Sequence, residues 1–146
     1  MSGEFLGTFN NSVNKQKWIT IPANFKKKFA PTAKQMVVVT IGPQSNICIF
    51  PLDNWNRKIE QLSAGNDRER EFLITLRTFA SDQQKMEANG RVKISDELIE
   101  LAQINDKVIV KGEGSFISIW NPERYKTYRQ QLMKKHMEKF NSMDYQ

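Results

Sequence analysis

The chain has 146 residues, 39% of them hydrophobic, and a formal net charge of +6. This length suits one compact domain or two very small units sharing a core, and no apolar run approaches the ~20 residues of a membrane-spanning helix. The lone cysteine, Cys48, excludes an internal disulfide framework, and the N-terminus carries no basic, apolar and small-residue succession, so a soluble cytoplasmic protein without a secretory signal is expected.

An unrecognised repeat misassigns a whole fold, so repetition is sought first. The stretch "VNKQKWITIPANF" at Val13–Phe25 returns as "MEANGRVKISDEL" at Met86–Leu98, with Trp18 on Arg91 and Ile21 on Ile94, a shift of 73. Further on the shift is 70: Val38 falls on Val108, Gly42 on Gly112 and Ile47 on Ile117. The difference lies at Ala30–Gln35, where a loop absorbs insertions at little cost. The chain therefore reads as two copies of about 45 residues, within the period range of repeat proteins.

In chain order, "WITI" alternates with period two, as a half-buried strand does, with Ile19 and Ile21 facing inward. Pro22 suits a first helical position, and Phe25 and Phe29 share one face a turn apart. "MVVVTIG" and "NICIF" form a hairpin across "PQS", with Cys48 as a buried hydrophobe rather than a reactive thiol. Asp53 starts the next helix. In "NDREREFLITLRTFA", Phe72, Leu76 and Phe79 line one helical stripe, and Asp67, Glu69 and Glu71 suit a helix start. Copy two repeats the plan: strand "RVKI", a helix capped by Ser95, and a hairpin "KVIVKG"–"FISIW" across "EGS". Asn121–Pro122 opens a last helix whose stripe is Tyr125, Leu132, His136 and Phe140, with a frayed tail beyond.

The charge is polarised along this plan. Residues 5–52 hold Lys15, Lys17, Lys26, Lys27, Lys28 and Lys34 and no acid, while the remainder is balanced at 16 basic and 16 acidic residues. Such a field suits DNA or an anionic membrane surface; a solvated lysine-rich face is the alternative. Catalysis finds no support. A single histidine and a single cysteine cannot build a metal site, no nucleophile stands beside a base, and no glycine loop cradles phosphate, so no cofactor and no metal are expected. What remains is the turn before each alternating strand: Asn14, Lys15, Gln16, Lys17 and Trp18 in copy one, and Glu87, Asn89, Gly90 and Arg91 in copy two. Lysines neutralise phosphates, arginine offers guanine a two-pronged donor, and asparagine and glutamine pair with adenine. Glu87, four residues before Arg91, could brace its loop across the neck. An ordinary polar loop is the competing reading of the same spacing.

Taken together, "FLGTF", "ITIPANFKKKF", "ICIFPLDNW", the central helix, "NGRVKIS", "ISIW" and the trailing helix resemble the MraZ family over nearly the whole chain. The resemblance implies an α+β fold, a tandem repeat of two SpoVT/AbrB-like strand–helix–hairpin units interleaved into a small β-barrel with flanking helices. Its units would span 5–54 and 80–125, with linking helices at 55–79 and a C-terminal helix and tail at 126–146. It implies a bacterial transcriptional regulator, typically a repressor, that binds spaced direct repeats of double-stranded DNA upstream of the division and cell-wall gene cluster. It also implies a homo-oligomeric ring, cytoplasmic and nucleoid-associated, with no enzymatic activity and no membrane partner. The family's reading element is an Asp-x-x-x-Arg loop in each copy. Copy two keeps Gly90 and Arg91 with Glu87 for the aspartate, whereas copy one has Asn14, Lys17 and Trp18 in those three places. Tryptophan replaces neither the charge nor the donors of a guanidinium. Either Lys15 and Lys17 have taken over phosphate contacts, or copy one has lost base reading. A self-assembling protein that has drifted from DNA is the alternative function. Because its counterpart is polar, Trp18 is expected on the surface rather than packed on apolar neighbours.

Overall fold

The computed structural model describes residues 1–142. Copy one supplies β1 (Thr8–Ser12), β2 (Trp18–Thr20), the single-turn α1 (Ala23–Lys26), a 3₁₀ turn at Pro31–Ala33, and the hairpin β3 (Met36–Ile41) and β4 (Ile47–Pro51). The helices α2 (Leu52–Ser63) and α3 (Asp67–Phe79) follow. Copy two supplies β5 (Gln84–Lys85), β6 (Arg91–Lys93), α4 (Asp96–Leu101), the hairpin β7 (Lys107–Gly112) and β8 (Ile117–Trp120), and the long α5 (Pro122–Ser142). The frayed tail expected after Phe140 is helical to Ser142, and its remainder lies outside the described residues.

The strands form a six-stranded antiparallel sheet in the order β1-β7-β8-β4-β3-β5 and a separate two-stranded ribbon, β2-β6. Exchanging each strand for its counterpart in the other copy reverses this order onto itself. The copies are thus related by a pseudo-two-fold axis between β4 and β8, and they are interleaved. The first strand of copy one pairs with the hairpin of copy two (Phe9 opposite Val110), and the first strand of copy two with the hairpin of copy one (Val37 opposite Gln84). Strands β1 and β5 are not anticipated by the sequence reading, because "TFNNS" and "QK" are polar. They tolerate polarity as the two sheet edges, where one side faces solvent.

The expected barrel is not closed by a backbone ladder among the described residues. The ribbon is instead joined to the sheet by side-chain amides at equivalent positions. Asn11 Nδ2 donates to the Thr20 carbonyl (2.7 Å), while Gln84 Nε2 donates to the Lys93 carbonyl and Gln84 Oε1 accepts from the Lys93 amide (both 2.9 Å).

One hydrophobic core is built from both copies. Phe5, Ile19, Ile21, Phe25, Ile47 and Ile49 from the first half and Met86, Val92, Ile94, Leu98, Ile117 and Ile119 from the second are all buried in it. Neither copy alone offers enough apolar surface to offset its ordering entropy, so sharing is the physical reason for interleaving. Phe25 and Phe29 share a face as expected, each meeting Phe5 edge-on with centroids 5.7 Å apart. A smaller cluster of Leu62, Leu73 and Leu76, with Trp55, Ile59 and Phe72 against it, holds α2 to α3, while Phe79 packs on the main core.

Several local readings are refined. Ser95 caps α4 through its hydroxyl (Leu98 amide, 3.2 Å), and Asn121 caps α5 (Glu123 amide, 2.8 Å). Asn66 and Glu69 form a reciprocal capping box on α3. Pro22, however, is the N-cap of α1 rather than its first residue, with ψ 142° and its carbonyl accepting from Phe25 and Lys26. Asp53 lies inside the first turn of α2, and its carboxylate instead accepts from the Ser2 amide and hydroxyl and from Thr32 Oγ1. The insertion at Ala30–Gln35 is therefore anchored rather than loose, with Ala33 fully buried.

The α5 stripe is only half covered. Tyr125 is buried beside Trp120, but Leu132 and Phe140 are 47% and 42% exposed, and His136 faces solvent. Among the described residues the buried end of the stripe is Tyr125, and Leu132 and His136 further along the helix are exposed.

Candidate nucleic-acid interface

Both candidate loops are built by one backbone plan. In copy one the Asn14 amide donates to the Trp18 carbonyl and the Lys17 amide to the Asn14 carbonyl (both 3.0 Å). In copy two the Glu87 amide donates to the Arg91 carbonyl (3.0 Å) and the Gly90 amide to the Glu87 carbonyl (2.7 Å). The residue before the strand must then adopt a left-handed conformation, with φ 87° at Gly90 and 67° at Lys17. Glycine enters that region without the cost a Cβ brings. At Gly90 it has a second reason, since a Cβ would stand 3.0 Å from the Ile21 carbonyl.

The side chains at the neck divide the work differently. Asn14 Oδ1 accepts from the amides of Gln16 (3.0 Å) and Trp18 (2.9 Å), closing its loop as an aspartate could. In copy two that service passes to Asn89, whose Oδ1 accepts from the Arg91 amide (3.2 Å). Glu87 is left free to meet the guanidinium itself, Oε1 to Nη1 3.6 Å. The expected brace across the neck is present.

The ribbon links the two loops, one at each of its ends. The Ile21 amide donates to the Gly90 carbonyl and the Ile94 amide to the Lys17 carbonyl, both 2.8 Å, so each loop is fastened to the other copy's strand. Lysine side chains repeat the exchange, Lys93 Nζ donating to the Gln16 carbonyl and Lys26 Nζ to the Ala88 carbonyl. Lys15 and Gln16 are exposed, Lys17 and Arg91 half-buried, and Ile19 and Ile21 buried as expected.

Trp18 is neither a free surface residue nor packed in the apolar core. It is half-buried, and the Arg91 guanidinium lies over its ring with Cζ 4.6 Å from the centroid. Lys93 Nζ stands 5.8 Å from the same ring. Sequence spacing missed this contact because Trp18 and Arg91 are equivalent positions of the two copies, and only antiparallel pairing sets them diagonally on one ribbon face.

Charge is unevenly placed around the loops. Helix α1 carries Lys26 and is followed by Lys27 and Lys28, whereas its counterpart α4 carries Asp96, Glu97 and Glu100. Beside α1 lies a groove of about 680 Å³ lined by Lys26, Lys27, Lys34 and Lys85 and by no acid. Lys85 comes from copy two and directly precedes Met86 and the Glu87 loop, so the groove borders the Arg91 loop. Among the described residues no cluster of His, Cys, Asp and Glu could hold a metal ion, and no helix is long and apolar enough to cross a membrane.

Fold and site together define a duplicated, pseudo-dimeric α+β protein that presents paired polar loops on a cross-copy ribbon beside a basic groove. The sequence model described as "MraZ protein, putative antitoxin-like" matches residues 5–75 and again 79–144, and the chain belongs to the MraZ family. It is 27% identical over 129 residues to the protein named Transcriptional regulator MraZ of Mycolicibacterium smegmatis, spanning 86% of this chain and 87% of the relative. Like-named relatives of Bifidobacterium longum (28% over 126 residues, 84% and 81%) and Clostridium acetobutylicum (28% over 129 residues, 86% and 87%) are comparably similar.

Proposed function

We propose that the protein is a sequence-specific, DNA-binding transcriptional regulator whose two loops face one duplex. The observation that carries this reading is that one short ribbon holds both loops, one at each end, with the braced Arg91 on its outer face. In this reading Arg91 addresses base edges in the major groove, with Asn89 and Gly90 shaping its approach and Glu87 holding its edge. Lys15 and Lys17, with Lys26, Lys27, Lys34 and Lys85 of the groove, take phosphates; Asn14 and Gln16 keep the first loop in shape. The acidic α4 would repel a duplex, so the phosphate path runs along α1.

The relatives' name supports a transcriptional regulator, and the family resemblance extends that reading to a typical repressor of the division and cell-wall gene cluster, in the cytoplasm and on the nucleoid. The exposed apolar side chains Leu132, Met133 and Met137 of α5 support a homo-oligomer. In a ring, several loops would engage spaced repeats and gain affinity through effective concentration. The test is titration of duplex DNA from upstream of the protein's own gene against a scrambled duplex at several salt concentrations. Tighter binding of the upstream duplex, with a log–log salt slope of about −0.9 per phosphate neutralised, is expected. No binding at low salt overturns the reading.

The self-assembling alternative is favoured by the same exposed apolar side chains of α5 and by tryptophan in place of an arginine at position 18. Oligomers that ignore both duplexes would select it.

A further inference from the structure

We propose that Trp18 is the positioning residue of Arg91, so that the two copies make one reading unit per chain: copy one supplies the platform and copy two the guanidinium. In the ribbon Trp18 stands opposite Lys93 and Thr20 opposite Arg91, with the buried pair Ile19 and Val92 between them. Strand alternation therefore sends Trp18, Thr20, Arg91 and Lys93 to one face, away from the core. On that face the Arg91 Cζ lies over the indole ring, 4.6 Å from its centroid, and a Glu87 carboxylate oxygen stands 3.6 Å from Nη1.

A guanidinium has five N–H donors in a rigid plane. A contact with the ring consumes none of these donors, and the Glu87 contact among the described residues is to Nη1. The other donors are then available for a two-pronged contact from a side chain held on the ring. An unsupported arginine loses rotamer freedom when it docks, whereas one held in place has lost much of it beforehand.

Position 18 makes the same point from charge. An arginine there would sit diagonal to Arg91 and opposite Lys93, three cations on one small face. Tryptophan turns that repulsion into an attraction with both neighbours, Lys93 Nζ included at 5.8 Å. The tryptophan is thus a change of duty rather than the decay of a site, and each chain presents one base-reading guanidinium instead of two.

The inference rests on Arg91 reading bases, and its test separates the two ideas. The first measurement uses the full chain without DNA: the Arg91 side-chain Nε–H resonance, assigned by its absence in Arg91→Ala. It should lie upfield of free arginine through the Trp18 ring current, return toward the free position in Trp18→Leu, and stay mostly displaced in Trp18→Phe. An unshifted Arg91 resonance in the native chain overturns the proposal, whatever any variant does.

The second measurement uses the upstream duplex and a scrambled duplex of the same composition. Trp18→Leu should weaken upstream binding about two- to fivefold, the equivalent of one exposed cation–π contact. Scrambled binding and the salt slope should not change, and Trp18→Phe should recover most of the loss. In an Arg91→Ala background Trp18→Leu should cost nothing further. Equal losses on both duplexes, or a loss that persists without Arg91, overturn the positioning role. If the native chain prefers neither duplex while the Arg91 resonance is displaced, base reading fails and the stacking arrangement stands.

Discussion

Replacing Gln84 by alanine should loosen the ribbon that carries both loops. Gln84 makes two hydrogen bonds to the backbone of Lys93, donating to its carbonyl and accepting from its amide, each 2.9 Å. They act as one extra ladder rung between the sheet edge and the ribbon. Both are solvent-exposed, so water replaces them and no buried orphan remains. The net loss is then about 0.5–1.5 kcal/mol for each bond, or about 2 kcal/mol for the pair. Asn11→Ala removes the single equivalent bond, to the Thr20 carbonyl at 2.7 Å, and should cost about 1 kcal/mol. For a chain of this length about 1 kcal/mol corresponds to roughly 4 °C, so Gln84→Ala should melt about 8 °C lower and Asn11→Ala about half as much lower. Urea titration gives the free energies. Amide hydrogen exchange gives the location, because the Lys93 amide should lose protection selectively in Gln84→Ala. Unchanged exchange at Lys93, or a loss no larger in Gln84→Ala than in Asn11→Ala, would refute the idea that these amides join ribbon to sheet.

Arg91→Ala should cost about 1–3 kcal/mol on the preferred duplex and blur discrimination, whereas Lys27→Ala and Lys34→Ala should weaken all duplexes alike and flatten the salt slope by about 0.9 each, both read by titration. Burial pushes the Asp53 carboxyl up, but hydrogen bonds from the Ser2 amide, Thr32 Oγ1, the Ser2 hydroxyl and the Asn54 amide outweigh it and hold its pKa below the usual 3.8. Because the unfolded chain binds the proton more readily, Asp53 adds stability above that value and loses it as pH falls through the lower folded pKa. Melting curves of Asp53→Asn should therefore lie below the native ones at pH 7 and converge with them in acid below about pH 3.8. Burial first, and the nearby Glu113 second, push the Cys48 thiol up to about 12, so thiol reagents at pH 8 should label the chain only after unfolding. Rapid labelling of folded protein would show that β4 opens.

The alternation of "WITI" and "RVKI", the β-branched hairpin runs and the capping serine at Ser95 are local signals, and local physics was enough to place them. Repetition at shifts of 73 and 70 carried the two-copy plan, and the turns before each strand were legible as a candidate interface from residue types alone. What the sequence could not carry was pairing between copies. The strands β1 and β5 are too polar to declare themselves, and they exist because the other copy's hairpin offers them a ladder. Whether the ribbon closes onto the sheet depends on Asn11 and Gln84 reaching backbone atoms nine residues away in sequence, through a fold that must already be in place. The Trp18 indole has no meaning beside Arg91 until the antiparallel register sets positions 18 and 91 diagonally on one face. Periodicity reports which way a side chain points along its own strand; the neighbour it meets across the strands is decided by packing a shared core, a property of both copies at once.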